Sequence, residues 1–280
     1  MTPAAVSLPD AGIPLAPEQA AAAFRALLSA DLPDAVIAAF LLALAERGET
    51  AEEIAAAAGV MRSLMQGISA PDGAIDICGT GGDGSHSLNV STAATFVVAA
   101  AGVPVAKHGN RGASSRSGTA DVLEQLGWRG DLPLDRVEAC LHETGVTFLF
   151  AQRHHPALAR LAPIRRALGR RTIFNLLGPL ANPAAVQRQL IGVAAPAWLD
   201  PIATAALALG AEEVLTAHGG GLDEVAVHGP TDLRRGARGA LVAEQFDPVA
   251  RGLGLFARDA IAGGAPEENA TMFDALRASL

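Results

Sequence analysis

The sequence predicts an α/β protein whose N-terminal part is helical and whose larger remainder contains a mostly parallel sheet. Apolar residues recur at helical spacing through the first 70 residues. From residue 73 onward, short apolar segments alternate with glycine-rich loops and helical stretches, the order that builds parallel sheets. The longest apolar run spans residues 35–45, which is far short of the roughly 20 residues of a membrane helix.

Composition excludes several classes of function. The 280 residues are 50% hydrophobic and 18% charged, which is too apolar for a disordered chain. A net charge of −8 argues against a nucleic-acid-binding protein with a basic surface. No basic segment precedes an apolar one at the N-terminus, so we expect a cytoplasmic protein with no membrane partner. Cys78 and Cys140 have no metal-ligand spacing and are expected to be inert core thiols.

Three helices are predicted in the N-terminal part. Pro17 suits the first position of a helix, and Gly48 suits the end of one. Thr50 and Glu53 form a capping-box pattern that starts the third helix. The predicted helices cover residues 17–28, 34–47 and 50–67.

The remainder is predicted to alternate strands with helices. Helices are expected to follow the first strand, through Ala101, and the second strand, from about Ala120. The segment 163–183 is helical in pattern, breaks at Gly178, and is expected to join the N-terminal helices. The predicted strands cover residues 74–78, 103–107, 147–150, 189–193, 213–217 and 224–227.

The first glycine-rich loop, residues 79–85 (GTGGDGS), satisfies the dinucleotide-binding pattern G-x-G-x-x-G. Two features oppose that interpretation: Asp83 would repel a pyrophosphate, and the next strand ends in Lys107 and His108 instead of an acidic residue. A backbone-amide anion site and a simple tight turn both remain open. The anion site is favoured by the polar residues that follow, Ser85, Ser87, Asn89, Ser91 and Thr92.

The second loop, residues 107–119, concentrates three cations, one imidazole, four hydroxyls and three glycines. In an acidic protein this concentration points to a small polyanionic ligand, although a solvated loop is the alternative. Lys107 is the only lysine among 21 basic residues. A compact ammonium at this position would suit a phosphate, and we expect it to meet ligand instead of core.

Asp223 and Glu224 follow a third glycine-rich stretch, residues 219–221. Adjacent carboxylates repel each other unless solvent or a cation separates them, and Mg²⁺ prefers one or two carboxylates together with substrate phosphates. An exposed acidic turn is the alternative. Together with two candidate anion-binding loops, the pair favours a magnesium–phosphate site.

These motifs, in this order, resemble the anthranilate phosphoribosyltransferase family of tryptophan biosynthesis. The resemblance is carried by residues 76–84 (DICGTGGDG), 89–94 (NVSTAA), 105–127 (VAKHGNRGASSRSGTADVLEQLG), 164–183 (IRRALGRRTIFNLLGPLANP) and 221–224 (GLDE). It implies a nucleoside phosphorylase-like phosphoribosyltransferase fold, usually as a homodimer. The small helical domain would comprise residues 1–70 joined by about 163–186, and the larger α/β domain residues 71–162 and 187–280.

The resemblance also implies an activity and its residues. Such enzymes use Mg²⁺ to transfer the 5-phosphoribosyl group from phosphoribosyl pyrophosphate (PRPP) to the amine of anthranilate, giving N-(5-phosphoribosyl)anthranilate and pyrophosphate. The implied catalytic residues are Lys107, Asn110 and Arg165, and the implied metal contacts are Ser91, Asp223 and Glu224. Anthranilate contacts fall on Gly79, Asn110 and Arg165, with His108, His155 and Pro179 as pocket walls. PRPP contacts fall on Gly79, Gly82, Asp83, Ser87, Asn89, Val90, Ser91, Thr92, Lys107, His108, Gly109, Asn110, Arg111, Gly112, Ala113, Ser114, Ser115 and Thr119.

The sequence departs from the family in a few places. Gly112 stands where alanine is usual, the chain has no tyrosine, and it ends soon after residues 263–269 (GGAPEEN), where the family continues. Two alternatives therefore remain open at this point. One is a nucleoside phosphorylase of the same fold, which the loop 109–115 (GNRGASS) opposes. The other is a non-catalytic binding homologue inactivated by C-terminal shortening.

Overall fold

The computed structural model describes residues 7–29, 31–112 and 116–279. The three predicted N-terminal helices are confirmed as α1 (Pro17–Ser29), α2 (Asp34–Arg47) and α3 (Ala51–Leu64). Helix α2 ends at Gly48, whose φ of 88° is accessible to glycine at little energetic cost. The capping box forms as predicted, because the Thr50 hydroxyl accepts from the Glu53 N–H and the Glu53 carboxylate accepts from the Thr50 N–H.

The sheet has seven strands in the order β3-β2-β1-β4-β5-β6-β7, and the first five are parallel. Strands β6 and β7 are antiparallel and form a hairpin. The prediction of a mostly parallel sheet is therefore confirmed. The strands are β1 (Ile75–Gly79), β2 (Val105–Gly109), β3 (Val146–Phe150), β4 (Arg188–Gly192), β5 (Glu213–His218), β6 (Thr231–Ala237) and β7 (Ala240–Phe246).

The predicted strand at residues 224–227 is wrong. This segment crosses the ends of β4 and β5 as a loop, where the Ala226 N–H donates to the Thr231 hydroxyl at 2.8 Å. The hairpin β6–β7 was not predicted, because its strands carry many charged residues on an exposed face. Its two-residue turn uses positive φ at Arg238 (52°) and Gly239 (75°), a conformation that fits hairpin twist.

The described residues contain eight further α-helices. Of these, α6, α7, α10 and α11 were not predicted, and His154, which was expected on a loop, ends α7. Cys140 lies exposed on α6, so the expectation of a buried thiol is wrong there, whereas Cys78 is buried in β1. The helices are α4 (Val90–Ala100), α5 (Thr119–Gln125), α6 (Leu134–Thr144), α7 (Ala151–His154), α8 (Leu161–Leu168), α9 (Phe174–Leu177), α10 (Leu199–Ala208) and α11 (Pro266–Ser279). Within the described ranges, no helix combines the length and apolarity needed to cross a bilayer.

One core cluster joins the N-terminal helices to the middle of the chain. Phe24 of α1 meets Phe174 of α9 edge to face, with ring centroids 6.1 Å apart, and Ile164 of α8 belongs to the same cluster. The segment 163–183 thus packs against the N-terminal helices. The cluster continues into the sheet through Ile191 and Val214, so the division into domains near residue 70 stays a prediction.

Candidate active site

A cleft of about 340 Å³ opens at the carboxyl ends of the parallel strands. Strands β1 and β4 are neighbours in the sheet. After β1 the chain adds β2 and β3 on one side, and after β4 it adds β5 on the other side, so the strand order reverses between β1 and β4. Ligands of open α/β sheets bind at such a switch point. The first glycine-rich loop, the second loop and the Asp223–Glu224 pair all line this cleft, together with residues of α7, α8 and α9.

The first loop curves around the cleft through three glycines with positive φ, namely Gly81 (67°), Gly82 (84°) and Gly84 (68°). The Asp83 carboxylate accepts from the Ser85 N–H at 3.0 Å, which closes the turn. The Gly81 N–H donates to the Asp223 carboxylate at 2.7 Å. The loop is therefore tied directly to the acidic pair that lies 140 residues later in the chain.

The two acidic residues lie in an unfavourable electrostatic environment. Burial and, to a smaller extent, the nearby Asp83 charge raise the pKa of Asp223 to about 6. Desolvation and the Asp223 charge raise the pKa of Glu224 to about 8, opposed by Lys107. Among the described residues, no group of three His, Cys, Asp or Glu side chains is arranged to hold a metal alone. The carboxylates therefore suit a cation that takes its remaining ligands from a substrate.

Two glycines permit the acidic pair to approach the sheet. Gly79 ends β1 and pairs in register with Gly192, which ends β4. A Cβ atom on Gly79 would overlap the Asp223 carboxylate, and one on Gly192 would overlap the Asp223 main-chain carbonyl. Sequence reasoning missed Gly192, because a glycine at a strand end reads locally as an ordinary turn signal.

Lys107 is almost fully buried, with 2% of its surface exposed, and it also borders the cleft. Its Nζ donates to the Ile77 carbonyl at 2.6 Å and to the Ser91 hydroxyl at 3.0 Å. The positive charge also attracts the fully buried Asp76, which lies next to Ile77 in β1. The ammonium is thus held from two sides by protein beneath the start of α4, contrary to the expectation that it meets ligand alone.

The second loop is held by α5. The Asp121 carboxylate accepts from the N–H groups of Gly112 and Gly118, each at 2.8 Å, so it ties together two points of the loop. The Arg111 guanidinium pairs with Asp121 and Glu124, which directs it toward α5. The sequence predicted that Arg111 binds the anion. It did not single out Asp121, because this residue lies four positions after Ser117 in the first turn of α5, where an acidic residue is a common helix cap.

The other end of the cleft is apolar and contains two neutral imidazoles. Burial, together with the neighbouring His155, lowers the pKa of His108 to about 3, and burial lowers that of His155 to about 4. The His108 Nδ1 lies 3.0 Å from the Gly178 carbonyl and therefore carries the proton. Among the described residues, the Nε2 atoms of both rings are buried and have no hydrogen-bond partner. The Nε2 of His108 is therefore a bare hydrogen-bond acceptor.

Arg165 lies beside these histidines on the cleft wall. Its guanidinium lies over the Phe174 ring, 5.4 Å from the centroid, and burial lowers its pKa. Within the described residues, no carboxylate pairs with Arg165, and no hydrogen bond holds its guanidinium. A half-buried cation without a protein counter-charge is a site for an anionic ligand.

Most of the predicted site residues line this one cleft. Thr92 lies behind the wall, where its hydroxyl meets the Thr119 hydroxyl at 3.1 Å and joins α4 to α5. Val90 also lies outside the lining. The predicted contacts at Ala113, Ser114 and Ser115 fall outside the described residues. The lining thus brings together the candidate phosphate, metal and carboxylate groups from segments far apart in the chain.

Comparisons with known proteins agree with this geometry. The family model for the glycosyl transferase family a/b domain matches residues 71–279, and the model for that family's helical bundle domain matches residues 11–65. The chain is 52% identical over 270 residues to anthranilate phosphoribosyltransferase of Novosphingobium aromaticivorans, covering 96% of this chain and 82% of that one.

Solved structures agree as well. Anthranilate phosphoribosyltransferase of Thermus thermophilus superposes with a TM-score of 0.88 at 43% identity, covering 95% of this chain and 81% of that one. The Saccharomyces cerevisiae enzyme in complex with PRPP and Mg superposes with a TM-score of 0.84 at 29% identity, covering 93% and 76%. The same yeast enzyme has also been solved with 4-fluoroanthranilate, with a TM-score of 0.81 at 28% identity, covering 92% and 75%.

Proposed function

Because this chain belongs to the anthranilate phosphoribosyltransferase family, we propose that its cleft holds the two substrates of that reaction side by side. The protein is a Mg²⁺-dependent phosphoribosyltransferase of tryptophan biosynthesis. It transfers the 5-phosphoribosyl group of PRPP to the amine of anthranilate, with pyrophosphate as the leaving group. The observation that carries the arrangement is one cleft lined both by the two loops with the Asp223–Glu224 pair and by Arg165 with the apolar residues Leu158, Phe174 and Pro179.

We assign PRPP to the end formed by the two loops. The first loop turns at three glycines with positive φ, and loops of this kind can present backbone N–H groups to phosphate oxygens. Lys107 contributes a positive charge that is fixed in place, because its Nζ donates to the Ile77 carbonyl and to the Ser91 hydroxyl. The assigned residues are Gly79, Gly82, Asp83, Ser87, Asn89, Ser91, His108, Gly109, Asn110, Gly112 and Thr119.

Asp223, Glu224 and Ser91 fit Mg²⁺. All three offer oxygen ligands, and the raised pKa values of the two acids show that their charges lack sufficient protein counter-charge. Bound Mg²⁺ supplies positive charge that stabilises the departing pyrophosphate. The protein's own part is to hold the carboxylates beside the first loop, which for Asp223 the bond from the Gly81 N–H does.

Anthranilate is assigned to the apolar end. Arg165 can bind its carboxylate through two parallel N–H groups, and the ring would lie near Pro179. The amine would then face Asn110 and the acceptor Nε2 of His108. A histidine with a pKa of about 3 is a weak base, so it orients the amine through a hydrogen bond. The amine attacks C1 of the ribose with its lone pair while the bond from C1 to the pyrophosphate oxygen breaks. After the C–N bond has formed, the nitrogen gives its proton to water or to the departing pyrophosphate.

The direct test follows the fluorescence of anthranilate in the presence of purified protein, PRPP and Mg²⁺. We expect fluorescence to fall only when all three are present, and mass spectrometry should identify N-(5-phosphoribosyl)anthranilate. A protein that binds PRPP and leaves anthranilate unchanged would contradict this function. We further propose a cytoplasmic homodimer, in line with the family resemblance, and size-exclusion chromatography with light scattering tests the dimer.

Arg165→Lys should raise the KM for anthranilate about fivefold and leave the KM for PRPP within twofold. Lysine keeps the charge and loses the two-pronged geometry that suits a carboxylate. Arg166→Lys is the matched control, because Arg166 is the next residue on α8 and lies exposed outside the cleft. Steady-state kinetics with each substrate varied in turn gives the answer, and equal effects on both KM values would move Arg165 away from the anthranilate end.

Mg²⁺ binding should strengthen as pH rises from 6 to 8. Glu224, with a pKa of about 8, is mostly protonated at pH 7 without metal, and the ion must displace that proton. Calorimetric titration with MgCl₂ at pH 7 in buffers of different ionisation enthalpy should therefore report proton release. A Kd independent of pH over this interval would contradict the assignment of Glu224.

A further inference from the structure

Asn269 is a buried polar residue in the segment 263–269 that the assignments above do not use. It lies near the start of α11 and is 1% exposed. Its side chain reaches Asn89, which is 180 residues away in the chain and precedes α4 at the PRPP end of the cleft. Burying an amide is unfavourable unless its donors and acceptors are bonded, so the partners of Asn269 are informative.

The two asparagines form a chain of hydrogen bonds whose direction is fixed at both ends. The Gly264 N–H can only donate, and it donates to Asn269 Oδ1 at 2.8 Å. Asn269 Nδ2 therefore donates to Asn89 Oδ1, at 2.9 Å. Asn89 Nδ2 in turn donates to the carbonyl of Ser117 at 3.2 Å, and a carbonyl can only accept.

This chain connects three segments that meet at the PRPP end. Asn89, at the start of α4, and Ser117, in the second loop, both line the cleft. Main-chain bonds run beside it, from Leu88 N–H to the Ile261 carbonyl and from Gly263 N–H to the His86 carbonyl, each at 2.8 Å. Asn89 makes no side-chain bond to its own helix, so its amide is free to serve this connection.

We propose that Asn269 is a positioning residue for PRPP that acts through Asn89. By donating to Asn89 Oδ1, which also accepts from the Ser117 hydroxyl at 3.4 Å, it reinforces the orientation of that amide and thereby holds the flank of α4 against the second loop. The proposal rests on the assignment of PRPP to this end of the cleft. Asn269 itself does not line the cleft and is not a catalytic residue.

The test compares Asn269→Ala and Asn269→Asp with the control Glu268→Gln. Aspartate still accepts from the Gly264 N–H, but it replaces the donor to Asn89 Oδ1 by a carboxylate oxygen, so it removes that bond and adds a repulsive contact. Glu268 is adjacent and exposed, and among the described residues its carboxylate accepts only from the Ala265 N–H. We expect both Asn269 variants to raise the PRPP KM about fivefold with the anthranilate KM within twofold, and the control to match the wild type.

A double-mutant cycle with Asn89→Ala separates positioning from general destabilisation. If Asn269 acts through Asn89, adding Asn269→Ala to Asn89→Ala should change the PRPP KM by less than twofold. Additive effects in the cycle would overturn the proposal. An unchanged PRPP KM in both Asn269 variants would also overturn it. So would variants whose Tm falls and whose kcat changes while the PRPP KM does not.

Titration calorimetry with PRPP and MgCl₂, in the absence of anthranilate, keeps this test separate from the proposed function. Weaker PRPP binding by the Asn269 variants would support positioning even if the wild type failed to convert anthranilate. Equal PRPP affinity of wild type and variants would overturn it even in a fully active enzyme.

Discussion

Replacing Asp223 by Asn and Glu224 by Gln together should lower kcat/KM at least about hundredfold at 1 mM Mg²⁺, which corresponds to about 2.7 kcal/mol of transition-state stabilisation. Neutral amides bind a hard cation poorly, so the charge that stabilises the departing pyrophosphate is lost. Part of the activity should return at much higher Mg²⁺ concentrations, since Ser91 and the substrate phosphates remain. A magnesium titration of the initial rate measures both effects.

The same double variant should not be less stable than the wild type when metal is absent. Folding raises the pKa of Asp223 to about 6 and that of Glu224 to about 8. A carboxyl group whose pKa is raised by folding destabilises the fold once it is ionised, and this penalty grows as pH rises from about 4 to 8. The amides remove that penalty, so thermal unfolding in EDTA at pH 8 should occur at an equal or higher temperature.

Two outcomes would contradict this assignment. One is a magnesium titration that is the same for variant and wild type. The other is a variant that unfolds at a lower temperature than the wild type in EDTA, because the carboxylates would then be stabilising structural groups. Asp232→Asn is a suitable control, since Asp232 is an exposed residue of β6 away from the cleft.

The sequence predicts the residues of the cleft well where local pattern and chemistry coincide. The loops at 79–85 and 107–119 each follow a buried strand, so the parallel sheet brings both to the same edge. The helix starting after Thr50 is also local, because a capping box requires only residues three apart. Such features need no knowledge of the tertiary structure.

The features that were missed depend on contacts between distant segments. Gly192 matters because the main chain of Asp223 packs against it, and Asn269 matters because it meets Asn89. The predicted strand at 224–227 contains a short apolar run, yet it crosses the ends of other strands instead of pairing with one. No local pattern distinguishes these cases, so only the packed structure reveals them.

Lys107→Arg should lower kcat/KM at least about tenfold, or about 1.4 kcal/mol. The ammonium fits between the Ile77 carbonyl and the Ser91 hydroxyl, at 2.6 and 3.0 Å, in a site with 2% exposure. A planar guanidinium is larger and cannot donate to both oxygens within the same volume. It should therefore push Ser91 away from the position in which its hydroxyl can bind the metal. Steady-state kinetics with PRPP varied at saturating anthranilate measures this loss.

Thermal unfolding of the Lys107 variants separates fit from charge. Overpacking a buried site should lower the stability of Lys107→Arg by about 1–3 kcal/mol. Lys107→Met keeps nearly the same shape, but it removes the positive charge that faces Asp76. Burial already raises the pKa of Asp76, so this carboxyl would lose its counter-charge. Both Lys107 variants should therefore be impaired, but for different reasons. Arg129→Lys exchanges long cations at an exposed pair with Asp131 and should change neither property. Near-normal kcat/KM in Lys107→Arg would mean that loop amides and Mg²⁺ hold the phosphates without the single lysine of the chain.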